Sequence, residues 1–213
     1  MRIATWNVNG IRPRMEHIRR FTDEHGVDVL CMQEVKIAED IFPHDQFEEW
    51  GYSHRTVVSQ KAHHGVAIVS KQPFDTDWRQ VFWEKDDKRH VAVKFGDLAV
   101  HCFYMPAGGD KPDVEINEKF AHKLGFYKDV TAWTPTQHKA EDKVLYLGDF
   151  NIAPGENDVW NHKKLVKSVG HSPTEVEHWN ALKDTIGFVD LPRRGMSDAE
   201  PLYTWWGYRY PLA

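Results

Sequence analysis

Cysteine is nearly missing from this chain, with two in 213 residues and neither in a C-x-x-C pair. That excludes a disulfide scaffold and makes a reducing cytoplasm the default compartment. Cys31 and Cys102 lie in apolar, strand-like runs and read as buried free thiols. Long hydrophobic runs are missing as well. The run from Val27 to Met32 is broken by Asp28, and nothing approaches the roughly 20 apolar residues of a membrane span. Met1 to Asn7 lacks the apolar core and cleavage site of a signal peptide. Basic charge is not in excess. The net charge of −5 weighs mildly against nucleic acid, although a local basic stripe can bind phosphate on an acidic protein. Several chemical signatures are absent too: the P-loop, the Gly-rich dinucleotide fingerprint, H-E-x-x-H and the G-x-S-x-G elbow.

What is present is an ordinary globular balance, 41% apolar and 28% charged, too apolar for disorder. The length fits one domain over residues 1–213. Short apolar runs alternate with polar helical stretches, which predicts a mixed α/β chain. Strands are expected at Arg2 to Trp6, Val27 to Gln33, Gly65 to Ser70, Val91 to Phe95, Leu98 to Met105, Val144 to Leu147 and Leu202 to Trp206. Gly96-Asp97 reads as a hairpin turn. Helices are expected at Pro13 to His25, stopped by Gly26, at Glu115 to Trp133 and at Val176 to Ile186.

Polar residues gather just after the predicted strand ends: Asn7 and Asn9, Glu34, Tyr104, then Asp149 and Asn151. In layered α/β folds strand ends converge on one edge, so distant positions can meet there. The set is rich in oxygen, with two carboxylates, three amides and a phenol. It suits a hard, hydrated cation such as Mg²⁺ and metal-assisted phosphodiester hydrolysis. Each residue also has an ordinary reading. Asn9 can be a turn former, Glu34 a surface partner of Lys36, Asp149 an Asx-turn residue and Tyr104 a core aromatic. Their joint placement is what carries the hypothesis.

Six stretches, in order, carry a resemblance: Thr5-Trp6-Asn7-Val8-Asn9-Gly10-Ile11-Arg12, Gln33-Glu34-Val35-Lys36, His64-Gly65-Val66-Ala67-Ile68, Tyr104-Met105-Pro106-Ala107-Gly108-Gly109-Asp110, Gly148-Asp149-Phe150-Asn151-Ile152-Ala153-Pro154 and Tyr203-Thr204-Trp205-Trp206. The chain resembles the exonuclease III branch of the endonuclease/exonuclease/phosphatase family, which includes bacterial apurinic/apyrimidinic endonucleases. The resemblance implies a four-layer α/β/β/α sandwich and a divalent metal, Mg²⁺ or Mn²⁺. It implies Glu34 as metal ligand with Asn7 beside it, and Asp149 as the residue that orients or activates water. Asn151 and Tyr104 would contact the scissile phosphate, and Trp205 would pack at the pocket for a base-less sugar. Arg12 and Arg209 would approach the DNA backbone. Arg14, Lys36, Lys61 and Lys111 could add to a positive groove. The implied partner is duplex DNA with abasic or 3′-blocked sites, met by a monomer.

One departure stands out. The family continues past Tyr-Thr-Trp-Trp to an Arg-x-Asp strand and a Ser-Asp-His motif that belong to the catalytic centre. Here the sequence ends at Tyr210-Pro211-Leu212-Ala213, and the nearest look-alike is Ser197-Asp198-Ala199. The second sheet is therefore expected to lack its closing strands, which exposes an edge. Three explanations stand open: a fragment of a longer enzyme, which is favoured, a C-terminal part supplied by another chain, or a variant with impaired catalysis. Two competing functions remain beside the DNA-repair nuclease. One is a phosphoesterase of the same fold acting on an inositol phosphate or sphingolipid head group. The other is a DNA-binding scaffold without turnover.

Overall fold

Eight strands make up the sheets among residues 1–205, which a computed structural model describes. β1 (Ile3–Asn7), β2 (Val29–Gln33), β3 (His54–Val58) and β4 (Val66–Ser70) form one sheet in the order β1-β2-β4-β3. β5 (Thr76–Trp78), β6 (His90–Phe95), β7 (Leu98–Tyr104) and β8 (Lys143–Asp149) form the other, in the order β5-β6-β7-β8. Both sheets share a plan. Each has a parallel pair at one edge, β1 with β2 and β8 with β7, followed by antiparallel neighbours. All eight strands lie in the first of two compact units, Met1–Met105 with Glu141–Phe150. The second unit holds Pro106–Ala140 and the residues from Asn151 on.

Side chains alternate along each strand, and that alternation builds the first unit. Val29 and Cys31 of β2, with Val66 and Ile68 of β4, share a buried cluster with Val91 and Val93 of β6 and Val100, Cys102 and Tyr104 of β7. The two sheets therefore pack face to face. The intervening residues Leu30, Met32, Ala67 and Val69 point the other way, into a cluster with Ile18 of α1 (Met15–His25) and Phe47 of α2 (His44–Glu49). Helix, sheet and sheet thus form three layers in this unit. Gly26 ends α1 with φ of 56°, a left-handed cap whose N–H bonds back to the last turn. Both cysteines are free and buried, as expected.

In the second unit α3 (Glu118–Gln137) is capped by the Asn117 side chain, which accepts from the N–H groups of Lys119 and Phe120. α4 (His162–Leu165) is a single turn. α5 (Pro173–Asp184) opens with a Ser172/Glu175 capping box and Pro173 in its first turn. α3 therefore starts and ends later than Glu115 to Trp133, and Ile116 lies before it, 66% exposed. α5 begins earlier than Val176, because the capping box defines its start. Within its described residues, 202–205, the strand expected at Leu202 to Trp206 is not formed. Residues 202–205 have no regular structure, and Trp206 lies outside the described residues. Among the described residues no strand pairs with residues 202–205.

One buried imidazole makes the first unit sensitive to acid. His90 Nδ1 accepts from the Gln80 N–H at 3.0 Å, and Nε2 faces His101 Nδ1 at 3.0 Å. Burial pushes the His90 pKa down to about 3. An unfolded histidine titrates near about 6.5, so below that value protons favour the unfolded chain. Stability should be complete above about 6.5 and fall as pH drops toward about 3, by about 1.4 kcal/mol per unit from this group. Urea unfolding across that window checks it, and a flat profile would contradict it.

Candidate active site

The turns after β1 and β2 continue the pairing of their strands. Val8 N–H donates to Gln33 O at 3.0 Å, Gly10 N–H to Glu34 O at 2.7 Å and Ile11 N–H to Val35 O at 3.1 Å. Lys36 N–H reaches His64 O at 3.0 Å. Along this ladder four non-glycine residues are left-handed: Asn9, Glu34, Lys36 and His64, with φ of 45°, 54°, 50° and 51°. Such residues cost about 1–3 kcal/mol each and persist only where surrounding structure holds them. Four of the nine left-handed non-glycine residues among the described residues lie along this rim. On the other parallel pair, Tyr104 of β7 stands in register with Asp149 of β8.

Asn7 joins the two pairs. Its Nδ2 donates to Glu34 Oε1 at 2.8 Å and to Asp149 Oδ2 at 2.7 Å, across 142 residues of sequence. Its Oδ1 accepts from the Asn9 N–H at 3.0 Å, which fixes the amide orientation. Lys36 Nζ sits 2.6 Å from Glu34 Oε2 and 2.6 Å from Asn9 Oδ1. The Tyr104 hydroxyl also bonds to Glu34. Arg89 supports Tyr104 from behind. Its guanidinium lies 4.8 Å from the ring centre, its Nη1 donates to Tyr104 O at 3.2 Å, and Tyr104 N–H donates to Arg89 O at 2.8 Å. Arg89 is anchored in turn by Asp87 at 3.1 Å, and its Nη2 lies 2.9 Å from His64 Nε2.

These contacts set protonation. Burial alone would push the Glu34 carboxyl up. Hydrogen bonds from Lys36, Asn7 and Tyr104, with the Lys36 charge, outweigh it and hold the carboxyl below its ordinary value. Glu34 is therefore an anion near neutrality. Burial, then the Glu34 charge and hydrogen bond, push the Tyr104 phenol well above its ordinary range. It stays protonated and acts as a hydrogen-bond donor. Burial, followed by the Arg89 charge, lowers His64, which is therefore a neutral imidazole at neutral pH.

The remaining expected residues are spread differently. Asn151 opens the second unit, two positions after Asp149, with φ of 51°. Arg12 is exposed in the short turn before α1, with Arg14 nearby in sequence and part-exposed. Trp205 is 80% exposed in the second unit, and Arg209 lies outside the described residues. Lys36 is turned onto Glu34 and Asn9. Glu34 therefore has the Lys36 partner of its ordinary reading and also stands beside Asn7. Arg89 was not legible in advance. It lies in the charged run Lys85 to Arg89, and nothing in that run marks one cation as buried beneath Tyr104.

Residues 4–212 match the Endonuclease/Exonuclease/phosphatase family. The chain belongs to that family. It is 28% identical to exodeoxyribonuclease III of Haemophilus influenzae, over 98% of this chain and 81% of that protein. Among solved structures it superposes on an AP endonuclease from Archaeoglobus fulgidus with a TM-score of 0.90 and 30% identity, covering 99% of this chain and 80% of the other. It superposes on a 3′ phosphatase from Neisseria, solved with a product DNA hairpin, with a TM-score of 0.87 and 27% identity, covering 98% and 79%. The match runs through both compact units, and the α/β class with two sheets is that of these structures.

The donor chemistry of this family member fits a divalent cation. Glu34 and Asp149 bring two carboxylates to one amide nitrogen, and the other donors nearby are amide and phenol oxygens. Among the described residues no group of three His, Cys, Asp or Glu converges. Such a site supplies few protein ligands and leaves room for water and a phosphate oxygen, as Mg²⁺ prefers.

Proposed function

We propose that this protein is a divalent-metal-dependent DNA repair nuclease that hydrolyses phosphodiesters at abasic sites and at blocked 3′ ends of duplex DNA. The observation that carries this reading is the Asn7 amide holding the Glu34 and Asp149 carboxylates together at one strand-end rim. Glu34 would hold Mg²⁺ or Mn²⁺, with Asn7 beside it. The bound cation supplies charge neutralisation at a phosphoryl oxygen. Asp149 would orient the attacking water and take its proton as the new P–O bond forms and the P–O3′ bond breaks, the leaving 3′ oxygen gaining its proton from solvent. The protonated Tyr104 and the Asn151 amide donate to phosphoryl oxygens as negative charge builds on them. Arg89 holds the phenol in place and adds positive potential behind it. Trp205 and Arg12 supply an aromatic face and a backbone contact, and DNA shape rather than base edges sets the preference. A sugar without a base leaves the stack at little cost, which favours abasic sites.

The protein acts as a monomer of one catalytic domain in a reducing cytoplasm, in keeping with its buried free thiols. No helix among the described residues is long and apolar enough to cross a membrane. The expected result with Mg²⁺ is a nick 5′ to an abasic site and release of 3′-phosphate from a blocked duplex, both abolished by chelation and restored by Mg²⁺ or Mn²⁺. Hydrolysis of inositol phosphates in preference to either DNA would overturn the reading.

A further inference from the structure

A lysine and a glutamate are sealed together in the second unit. Lys123 of α3 and Glu175 of α5 form an ion pair in which neither side chain is exposed. Replacing such a pair with apolar groups of similar volume is often neutral or stabilising, so stability alone gives little reason to bury these two charges. Their other partners are more informative. The Lys123 ammonium also reaches Asn151 O at 2.6 Å and Ala107 O at 3.4 Å, so all three of its protons are directed at acceptors. Glu175 is filled as well. It accepts from the Gly170 N–H at 2.9 Å and from the Ser172 N–H and hydroxyl.

The two carbonyls on the ammonium belong to the segments that leave β8 and β7, the parallel pair ending in Asp149 and Tyr104. The segments are shaped around the lysine. A Cβ at Gly108, where φ is 92°, would stand 2.8 Å from Lys123 Cδ and 2.9 Å from Val169 Cγ1. Asn151 is a left-handed non-glycine residue, so the direction of its peptide has to be held from outside. Beyond it, Ala153 N–H donates to Gly170 O at 2.8 Å and His171 Nδ1 lies 2.6 Å from Ala153 O. Lys123 and Glu175 thus hold both ends of the short stretch 151–153, the first through its carbonyl and the second through the Gly170 turn.

We infer that Lys123 and Glu175 are a positioning pair for the reaction, fixing the Asn151 backbone so that its amide is presented to phosphate in one direction. This rests on the nuclease reading above. Lys123→Met alone strands a buried carboxylate, so the test uses the charge-neutral double variant Lys123→Met with Glu175→Gln, which preserves volume and the helix cap. In that variant kcat on an abasic duplex should fall by about 10²-fold with KM little changed, as expected for a misplaced group that acts in the transition state. In an Asn151→Ala background the same double change should cost almost nothing more. Amide hydrogen exchange at Ala153 should accelerate while that of the β7 and β8 amides stays at the wild-type rate.

Losses that multiply in the Asn151→Ala background, or unchanged exchange at Ala153, would overturn the positioning role. A wild-type protein that cuts no DNA would overturn the nuclease reading instead. The exchange measurement reports on the pair in either case.

Discussion

Glu34→Gln should lower kcat on an abasic duplex by about 10³-fold or more, within the range for losing a charged catalytic group. The substitution keeps size and an acceptor oxygen, so Asn7 Nδ2 and the Tyr104 hydroxyl retain a partner. What disappears is the negative charge that Lys36 and a divalent cation would both seek. Metal-dependent turnover should collapse while the circular dichroism spectrum and melting temperature stay near wild type. Asn7→Ala makes a different error. It removes the nitrogen shared by Glu34 and Asp149 and leaves two carboxylates facing each other, which raises the pKa of the pair. Its acid limb of kcat/KM should therefore move to higher pH, whereas Glu34→Gln should lose rate at every pH. Retention of more than about a third of wild-type kcat by Glu34→Gln would sink the site assignment, given the size of effect expected.

Gly148→Ala should be the most damaging single methyl in the first unit. Gly148 has φ of 132° and stands in register with Phe103 across the parallel β7/β8 pair. An added Cβ would lie 2.0 Å from the Phe103 carbonyl oxygen and 2.9 Å from its carbon and nitrogen. Those atoms are backbone within a ladder, so they can move only if the strands separate. Separation would spread Tyr104 from Asp149, one residue further along each strand. A loss of about 4 kcal/mol or more is expected in urea unfolding, in the exceptional class of single substitutions. Gly187→Ala is the control. Its φ is 78° with nothing within 4 Å of the added Cβ, so only the left-handed backbone penalty of about 1–2 kcal/mol applies. Equal losses at the two positions would show that the Phe103 clash does not matter.

The central strands were legible because their apolar runs are continuous. β2, β4, β6 and β7 fall within a residue or two of the stretches read from pattern, and the Gly26 stop and the Gly96-Asp97 hairpin are where expected. The edges were not. β3 begins His54-Arg55 and β5 is only Thr76-Asp77-Trp78. Short polar strands of this kind are how sheets protect their edges, and they leave no hydrophobic signal. α2 was missed because six residues with one buried aromatic, Phe47, show no period. The site split along the same line. Asn7, Glu34, Tyr104 and Asp149 were read from their places after strands, and Lys36 as a partner of Glu34 was read as the ordinary alternative, whereas Arg89 was not.

By itself the sequence determined which residue types sit after which strands, and that their chemistry is that of oxygen acceptors and amide and phenol hydrogen-bond donors. Local hydrophobic period and turn residues encode that much, because they depend only on neighbours along the chain. Tertiary structure alone decided that one amide nitrogen, that of Asn7, holds two carboxylates 27 and 142 positions further along the chain, Glu34 and Asp149. It decided too that the phenol stays protonated over a buried guanidinium and that a sealed lysine grips the Asn151 carbonyl. These depend on distance and desolvation between segments far apart in sequence, and no local pattern records either.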